Sequence, residues 1–388
     1  MSAPERADSI VESGSPHVDV RALNSIALRS LVSLFNEKEG LFSRRITASE
    51  DGLRQEGTSR RATLIALLGL HRLTEAGATH PFDTASIRDV VWGDASWVRS
   101  VGDLGLLTWF TAVSEPERLG TIFNTFDFAE ALETYGDGQQ GRTTRLAWLL
   151  TGIAYARRAR PGNLPDLTDI AVETYHLLLE NQGESGIFGH AAFPRSIREI
   201  WCKRLGTFAD QVHAIYALST FAQAFQIEEP LGPALNCAKS LCALQGEMGQ
   251  WWFLYDKRSC HVVNRYPVLS CHQDGIAPAG LFALGEATGQ SFDQFVYKGL
   301  SWISGANELA SDFRNADRGG IWDSLELRGH LAKYSEAALS FMGISRASPP
   351  ASLTIRYEAR PNHFGWLLYA FGKFGLPAER KYVMAAAH

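Results

Sequence analysis

The sequence predicts an all-α chain folded as a single (α/α)6 toroid of six helical hairpins. Three observations lead there. Apolar residues recur at helical spacing through about twelve segments, strand signals are sparse, and the segments alternate in character. Segments such as 165–181 are mixed in polarity, whereas partners such as 207–226 (TFADQVHAIYALSTFAQAFQ) are apolar on most faces. A helix apolar on most faces is buried on most faces. Two concentric rings meet that demand, with inner helices touching both neighbours and an outer ring.

Taken in order, the first helix covers 22–35, with Ile26, Leu28, Leu31 and Leu34 at helical spacing. The second, 61–73, is more apolar (ATLIALLGLHRL). Further helices are expected over 97–112, 115–133, 142–158, 165–181, 207–226, 230–245, 272–288, 291–305, 331–343 and 362–375. Pro278 fits only a first helical turn, so the 272–288 helix should begin near Asp274. Starts near 142, 207 and 272 lie about 65 residues apart, the length of two helices and a long loop.

Bulk properties narrow the field. The chain has 388 residues, with 45% hydrophobic and 20% charged, and reads as one large core rather than a disordered chain. Residues 1–20 have no basic n-region and no apolar h-region, and read as a disordered polar head rather than a signal peptide; residues 21–388 form the toroid. A balance of 37 basic against 42 acidic residues speaks against a nucleic-acid partner. No apolar run approaches the roughly 18 residues of a membrane span. Cys202, Cys237, Cys242, Cys260 and Cys271 are odd in number and lack any CxxC spacing, which suits free thiols in a reducing cytoplasm.

The loops after the outer helices share a pattern. Residues 182–188 read QGESGIF, 245–251 read QGEMGQW and 36–42 read NEKEGLF. In each, an amide side chain is followed four residues on by Gly and two later by an aromatic. The amide can tie the helix end to the loop, Gly permits a positive φ, and the ring plugs the gap between hairpins. This Q-x3-G-x-F/W pattern resembles the QW repeat of the terpenoid cyclase and prenyltransferase toroids. Related turns occur in (α/α)6 glycoside hydrolases, uronyl epimerases and polysaccharide lyases. The resemblance spans residues 24–375 and implies the architecture; it does not imply one chemistry.

In such a toroid the inner-helix N-termini gather at one end, and helix N-termini favour anions. Polar starts recur there: Arg60 in TSRRAT, Arg142 in GRTTR, Asp210 and Gln211 in TFADQ, His272, Gln273 and Asp274 in SCHQDG, and Asn362 and His363 in RPNHF. Thr207, Ser59 and their like are also good N-caps, so capping competes with function at each single position. The stretch 249–279 interleaves Trp251, Trp252 and Tyr255 with Arg265, His272 and Asp274, as a binding wall does. A second loop, 312–323, holds Asp317, Arg318, Trp322 and Asp323, which read as solvated loop charge.

The isoprenoid motifs that the resemblance would require are incomplete. Cys271-His272-Gln273-Asp274 keeps only the last acid of D-x-D-D, D-D-x-x-D is absent, and Asp210-Gln211-Val212 lacks a cysteine ligand. The first expectation is therefore a cytoplasmic carbohydrate-active enzyme (lyase, epimerase or hydrolase) acting on a sugar or uronate-containing oligosaccharide, with no cofactor and no metal. Asp274, His272, Asp210, Tyr255 and His363 are its candidate acid/base groups. Arg60, Arg142, Arg265, Asn362, Gln211, Gln273, Trp251 and Trp252 would bind substrate. The Asn362-His363 pair resembles the Asn-His arrangement of toroid lyases. An isoprenoid cyclase without the aspartate-rich motifs and a non-catalytic binding toroid remain as alternatives.

Overall fold

The computed structural model describes residues 18–49, 52–135, 143–160, 165–190, 203–315, 320–329 and 349–377. Thirteen α-helices lie among them: α1 (Val20–Leu34), α2 (Arg60–Glu75), α3 (Thr84–Trp92), α4 (Val101–Ser114), α5 (Leu119–Thr125), α6 (Phe128–Tyr135), α7 (Thr143–Ala159), α8 (Thr168–Glu180), α9 (Phe208–Phe225), α10 (Leu231–Ala243), α11 (Ala277–Thr288), α12 (Asp293–Ile303) and α13 (Pro361–Phe371). The inner ring is α2, α4, α7, α9, α11 and α13; each packs on the next, and α13 returns to α2. α1, α3, α6, α8, α10 and α12 form the outer partners, so the chain is the six-hairpin toroid its patterning predicts. Among the described residues no helix is long and apolar enough to cross a membrane.

Burial follows the predicted alternation. In α9 fourteen residues, from Phe208 to Ala222, are buried, and in α8 only Ala171, Thr174, Tyr175 and Leu178 are. The inner helices approach backbone to backbone at small residues. A Cβ on Gly105 of α4 would lie 2.3 Å from the Trp148 carbonyl of α7, and one on Gly152 of α7 would lie 2.3 Å from the Gly105 carbonyl. Only glycine permits that crossing.

In the two glutamine copies the repeated turn works as its residues predict, whereas in the 36–42 copy the Asn36 side-chain oxygen accepts from Glu39 N at 3.1 Å instead. Gln182 Nε2 donates to the Gly186 carbonyl at 2.9 Å and to Pro233 at 2.9 Å; Gln245 Nε2 donates to Gly249 at 3.1 Å and to Phe295 at 2.9 Å. Gly186 and Gly249 take φ of 84° and 94°, and Phe188 and Trp251 are fully buried plugs. A fourth copy escapes the motif. Asn307 Nδ2 donates to Ser311 at 2.7 Å, and Phe313 is the buried ring. Serine stands where the other copies have glycine.

Several expectations are corrected. The 115–133 helix is two short ones, α5 and α6, and α3 went unforeseen. Strands are more frequent than expected and lie in the outer-to-inner connections. Leu41–Ser49 pairs antiparallel with Gly52–Thr58 and receives Glu358–Ala359, which ties the last connection to the first. Leu205–Thr207 pairs with Leu254–Asp256, and Ser324–Leu327 with Leu353–Arg356 and Val268–Leu269. Most of the 1–20 head and the 331–343 helix fall outside the described residues.

Candidate active site

Those connections place the predicted rim at the N-terminal end of the inner helices. Asp210 and Asp274 stand at the starts of adjacent inner helices, yet the two starts are built differently. Thr207 caps α9 with its hydroxyl accepting from Asp210 N, and the Asp210 carboxylate accepts from Thr207 N in return, a reciprocal capping box. The same carboxylate takes the Thr207 hydroxyl at 2.7 Å, the Thr144 hydroxyl at 2.8 Å and His190 Nδ1 at 2.7 Å. Burial pushes its pKa up, but the His190 imidazole and these hydrogen bonds outweigh burial and hold it below the ordinary value.

α11 cannot start that way. Pro278 has no N–H, and its ring crowds the carbonyl four residues back, at Asp274. The chain answers with a π turn over His272–Ile276, closed by Ala277 N–H on the His272 carbonyl. Gly275 lets this turn lie against α13, where a Cβ would stand 2.8 Å from Trp366 Cβ. Asp274 thereby meets His363, whose Nε2 sits 2.8 and 2.9 Å from its two oxygens. With Asp274 ionised, Nε2–H donates and Nδ1 carries the lone pair. That Nδ1 is buried without a hydrogen-bond partner, as is Nδ1 of His272. Burial pushes the Asp274 carboxyl above its ordinary value despite the opposing pull of His363. Burial also lowers His272 to about 3 and His213 to about 4, so both imidazoles are neutral at working pH.

The other predicted residues divide. Gln211 and Gln273 clamp the turn plugs: Gln211 Oε1 accepts from Phe188 N at 2.7 Å and its Nε2 donates to the Phe188 carbonyl at 2.8 Å. Gln273 Oε1 accepts from Trp251 N at 3.3 Å. Both amides are spent on the fold. Trp251 is fully buried against Phe208, ring centroids 5.3 Å apart, so it offers no face to a sugar in this structure. Trp252 is half-buried, with the Arg265 guanidinium 5.5 Å above its ring. Tyr255 is fully buried with an unpartnered hydroxyl, and burial pushes its pKa well up, which makes it a poor proton donor. Arg60 pairs with Asp94 at 3.1 Å. Asn362 is half-buried at the second position of α13. Arg142, Asp317 and Arg318 lie outside the described residues. Among the described residues, no three His, Cys, Asp or Glu side chains form a group able to hold a metal ion.

Sequence reasoning did not single out His190, noted His213 only as one of the polar residues at the start of α9, and read Asp323 as loop charge. His190 follows the GIF turn by two residues and pairs with Asp210, which the spacing does not announce. His213 lies one helical turn beyond Asp210 and accepts from Trp148 Nε1 at 3.2 Å through Nδ1. Asp323, read as solvated loop charge, is 7% exposed, and burial raises its pKa although Arg360 stands 3.3 Å away.

No family model and no curated protein matches the sequence. Solved structures do match in fold. An unsaturated glucuronyl hydrolase specific for heparin superimposes with a TM-score of 0.61 at 12% identity, covering 92% of this chain and 96% of that one. A cellobiose 2-epimerase from Bacillus thermoamylovorans gives 0.58 at 10% identity, covering 92% and 99%. A possible member of the GH105 family from Klebsiella pneumoniae gives 0.57 at 12% identity, covering 96% and 98%. At these identities the likeness is one of fold: an (α/α)6 toroid over nearly the whole chain.

Proposed function

We propose that the chain is a carbohydrate-active enzyme that moves a proton at a sugar carbon, as an epimerase or lyase does. The observation that carries this reading is the buried Asp274–His363 pair, with His363 Nδ1 unpartnered. Asp274 fixes the imidazole tautomer and steadies the cation formed when Nδ1 takes a proton. His272 supplies a second neutral imidazole on the adjoining turn. Asp210 fits an acid/base role less well, because its carboxylate is saturated and held ionised. The fold neighbours, named for a glucuronyl hydrolase and an epimerase, make a sugar the substrate class to test first. The described cysteines are free thiols, which suits the cytoplasm.

One observation favours hydrolysis as a second reading. Asp323 is another buried carboxyl raised by burial, and His363 lies within its electrostatic reach. Two carboxyls flanking a glycosidic bond are what hydrolysis requires. The test is incubation with reducing disaccharides and with unsaturated uronyl disaccharides in deuterated water, followed by NMR. Deuterium entering the sugar at carbon, lost in His363→Ala, supports proton transfer. Bond cleavage lost in Asp323→Asn but retained in His272→Ala promotes hydrolysis. Turnover of a prenyl diphosphate instead overturns both.

A further inference from the structure

The opposite end of the barrel, where the inner helices finish, holds a cavity of about 640 Å³ that the proposed chemistry does not use. Its lining includes three phenols. The Tyr155 and Tyr216 hydroxyls are 2.7 Å apart, Tyr155 and Tyr369 2.8 Å, and Tyr216 and Tyr369 2.5 Å. Tyr155 comes from α7, Tyr216 from α9 and Tyr369 from α13, so three inner helices converge on one closed triangle. Three hydroxyls bring three protons to three contacts. The triangle therefore uses every proton and leaves each oxygen a lone pair, one of which Arg72 Nη2 occupies on Tyr369 at 3.1 Å. A ligand carrying O–H groups finds acceptors here, and one phenol proton swung outward becomes a donor. Gln223 and Thr220 add an amide and a hydroxyl, and Phe282 adds an apolar ring.

Charge gives the ligand a sign. Arg72 lies 3.7 Å from Glu75, and Lys373 lies 3.4 Å from Glu286. Arg158 has no carboxylate partner among the described residues; its guanidinium stands 5.6 Å from the centre of the Tyr155 ring. A neighbouring cavity of about 610 Å³ shares Arg158 and Gln223 with the first, and adds Arg157 and Arg160 against one acid, Asp166. Helix dipoles explain cations in last turns. They do not call for a cavity, for a triangle of phenols at its floor, or for a second basic cavity sharing the same arginine.

We infer that this end of the barrel is a second binding site, for an oligosaccharide bearing carboxylate groups. One sugar sits over the tyrosine triangle with its carboxylate on Arg158, and the next extends toward Arg157 and Arg160. The choice of a sugar rests on the carbohydrate reading above; the site's existence and its preference for anions do not. Titration calorimetry on the full chain separates the two, with trigalacturonate, neutral maltotriose and inorganic phosphate as probes. Trigalacturonate should bind wild type, and Arg158→Glu, a surface change that leaves the core intact, should weaken it at least about tenfold. Tyr216→Phe should weaken it less, and Asp274→Asn should bind as wild type does even where it has lost turnover. The inference fails if trigalacturonate gives no heat, or if Arg158→Glu binds it unchanged. It fails equally if Asp274→Asn abolishes binding, or if maltotriose or phosphate binds as tightly as the uronate.

Discussion

Asp210 and Asp274 begin neighbouring inner helices, are equally buried, and differ in what surrounds them. Asp210 opens a regular helix and is wrapped by two threonines and His190. Asp274 opens a π turn and meets a single imidazole. The first environment compensates the cost of burying a charge and the second leaves much of it uncompensated. One carboxylate is therefore pulled below its ordinary pKa and the other pushed above it. A fold can hold the same residue type at the same helical position either as a fastening or as the lone partner of an imidazole.

The largest effect should come from Asp210. Asp210→Ala removes a capping box and leaves His190 and two threonine hydroxyls without their acceptor, at a cost of about 3–5 kcal/mol. Asp274→Asn keeps an oxygen able to accept from His363 Nε2 and removes a poorly compensated charge. Its stability should change by less than about 1 kcal/mol, while turnover falls at least roughly a hundredfold. Urea unfolding and steady-state rates on both variants check this. If Asp274→Asn unfolds as readily as Asp210→Ala, the two carboxylates do the same job.

pH should separate the pair in opposite directions. The folded-state pKa of Asp210 lies below the ordinary 3.8, so its stabilisation is present above 3.8 and is lost as pH falls through the lower folded value. The deficit of Asp210→Asn relative to wild type should therefore close on acidification below that value. The folded-state pKa of Asp274 lies above 3.8, so its neutral form favours folding at low pH, and that contribution is lost as pH rises through the folded value. Asp274→Asn should gain on wild type over that rise. Unfolding midpoints at about pH 3 and about pH 7 give both slopes. Two differences of the same sign would contradict the pairing.

The sequence reveals the ring but not this distinction. Long, largely apolar stretches mark the six inner helices, because burial on most faces demands apolar residues all round. α3 and the strands of 41–58 are hidden because they are short and half-exposed, and exposed positions impose little pattern. The inner-helix starts are legible as polar, and Pro278 sets the start of the 272–288 helix near Asp274, but the π turn there is not legible. What sets each carboxylate is the partner, and the partners come from elsewhere: His190 lies 20 residues from Asp210, and His363 lies 89 residues from Asp274. Spacing carries no trace of such pairs. The tyrosine triangle is hidden likewise, its members being separated in sequence by 61, 153 and 214 residues.

The narrowest contrast lies one residue from each acid, in the two glutamines. Gln211 holds Phe188 by two bonds, 2.7 and 2.8 Å, and also donates to the Thr207 carbonyl at 3.0 Å. Gln273 reaches Trp251 N at 3.3 Å and the Leu269 carbonyl at 3.4 Å, near the limit of a useful hydrogen bond. Gln273 sits within the π turn, whereas Gln211 sits in the first turn of a regular helix. Truncating Gln211 to Ala strands the backbone N–H and carbonyl of a buried residue, which should cost about 2–4 kcal/mol. Truncating Gln273 to Ala breaks only long contacts and should cost about 1 kcal/mol. Chemical denaturation of the two variants measures the difference directly. Equal losses would mean that the start of α11 is tied down as firmly as the start of α9.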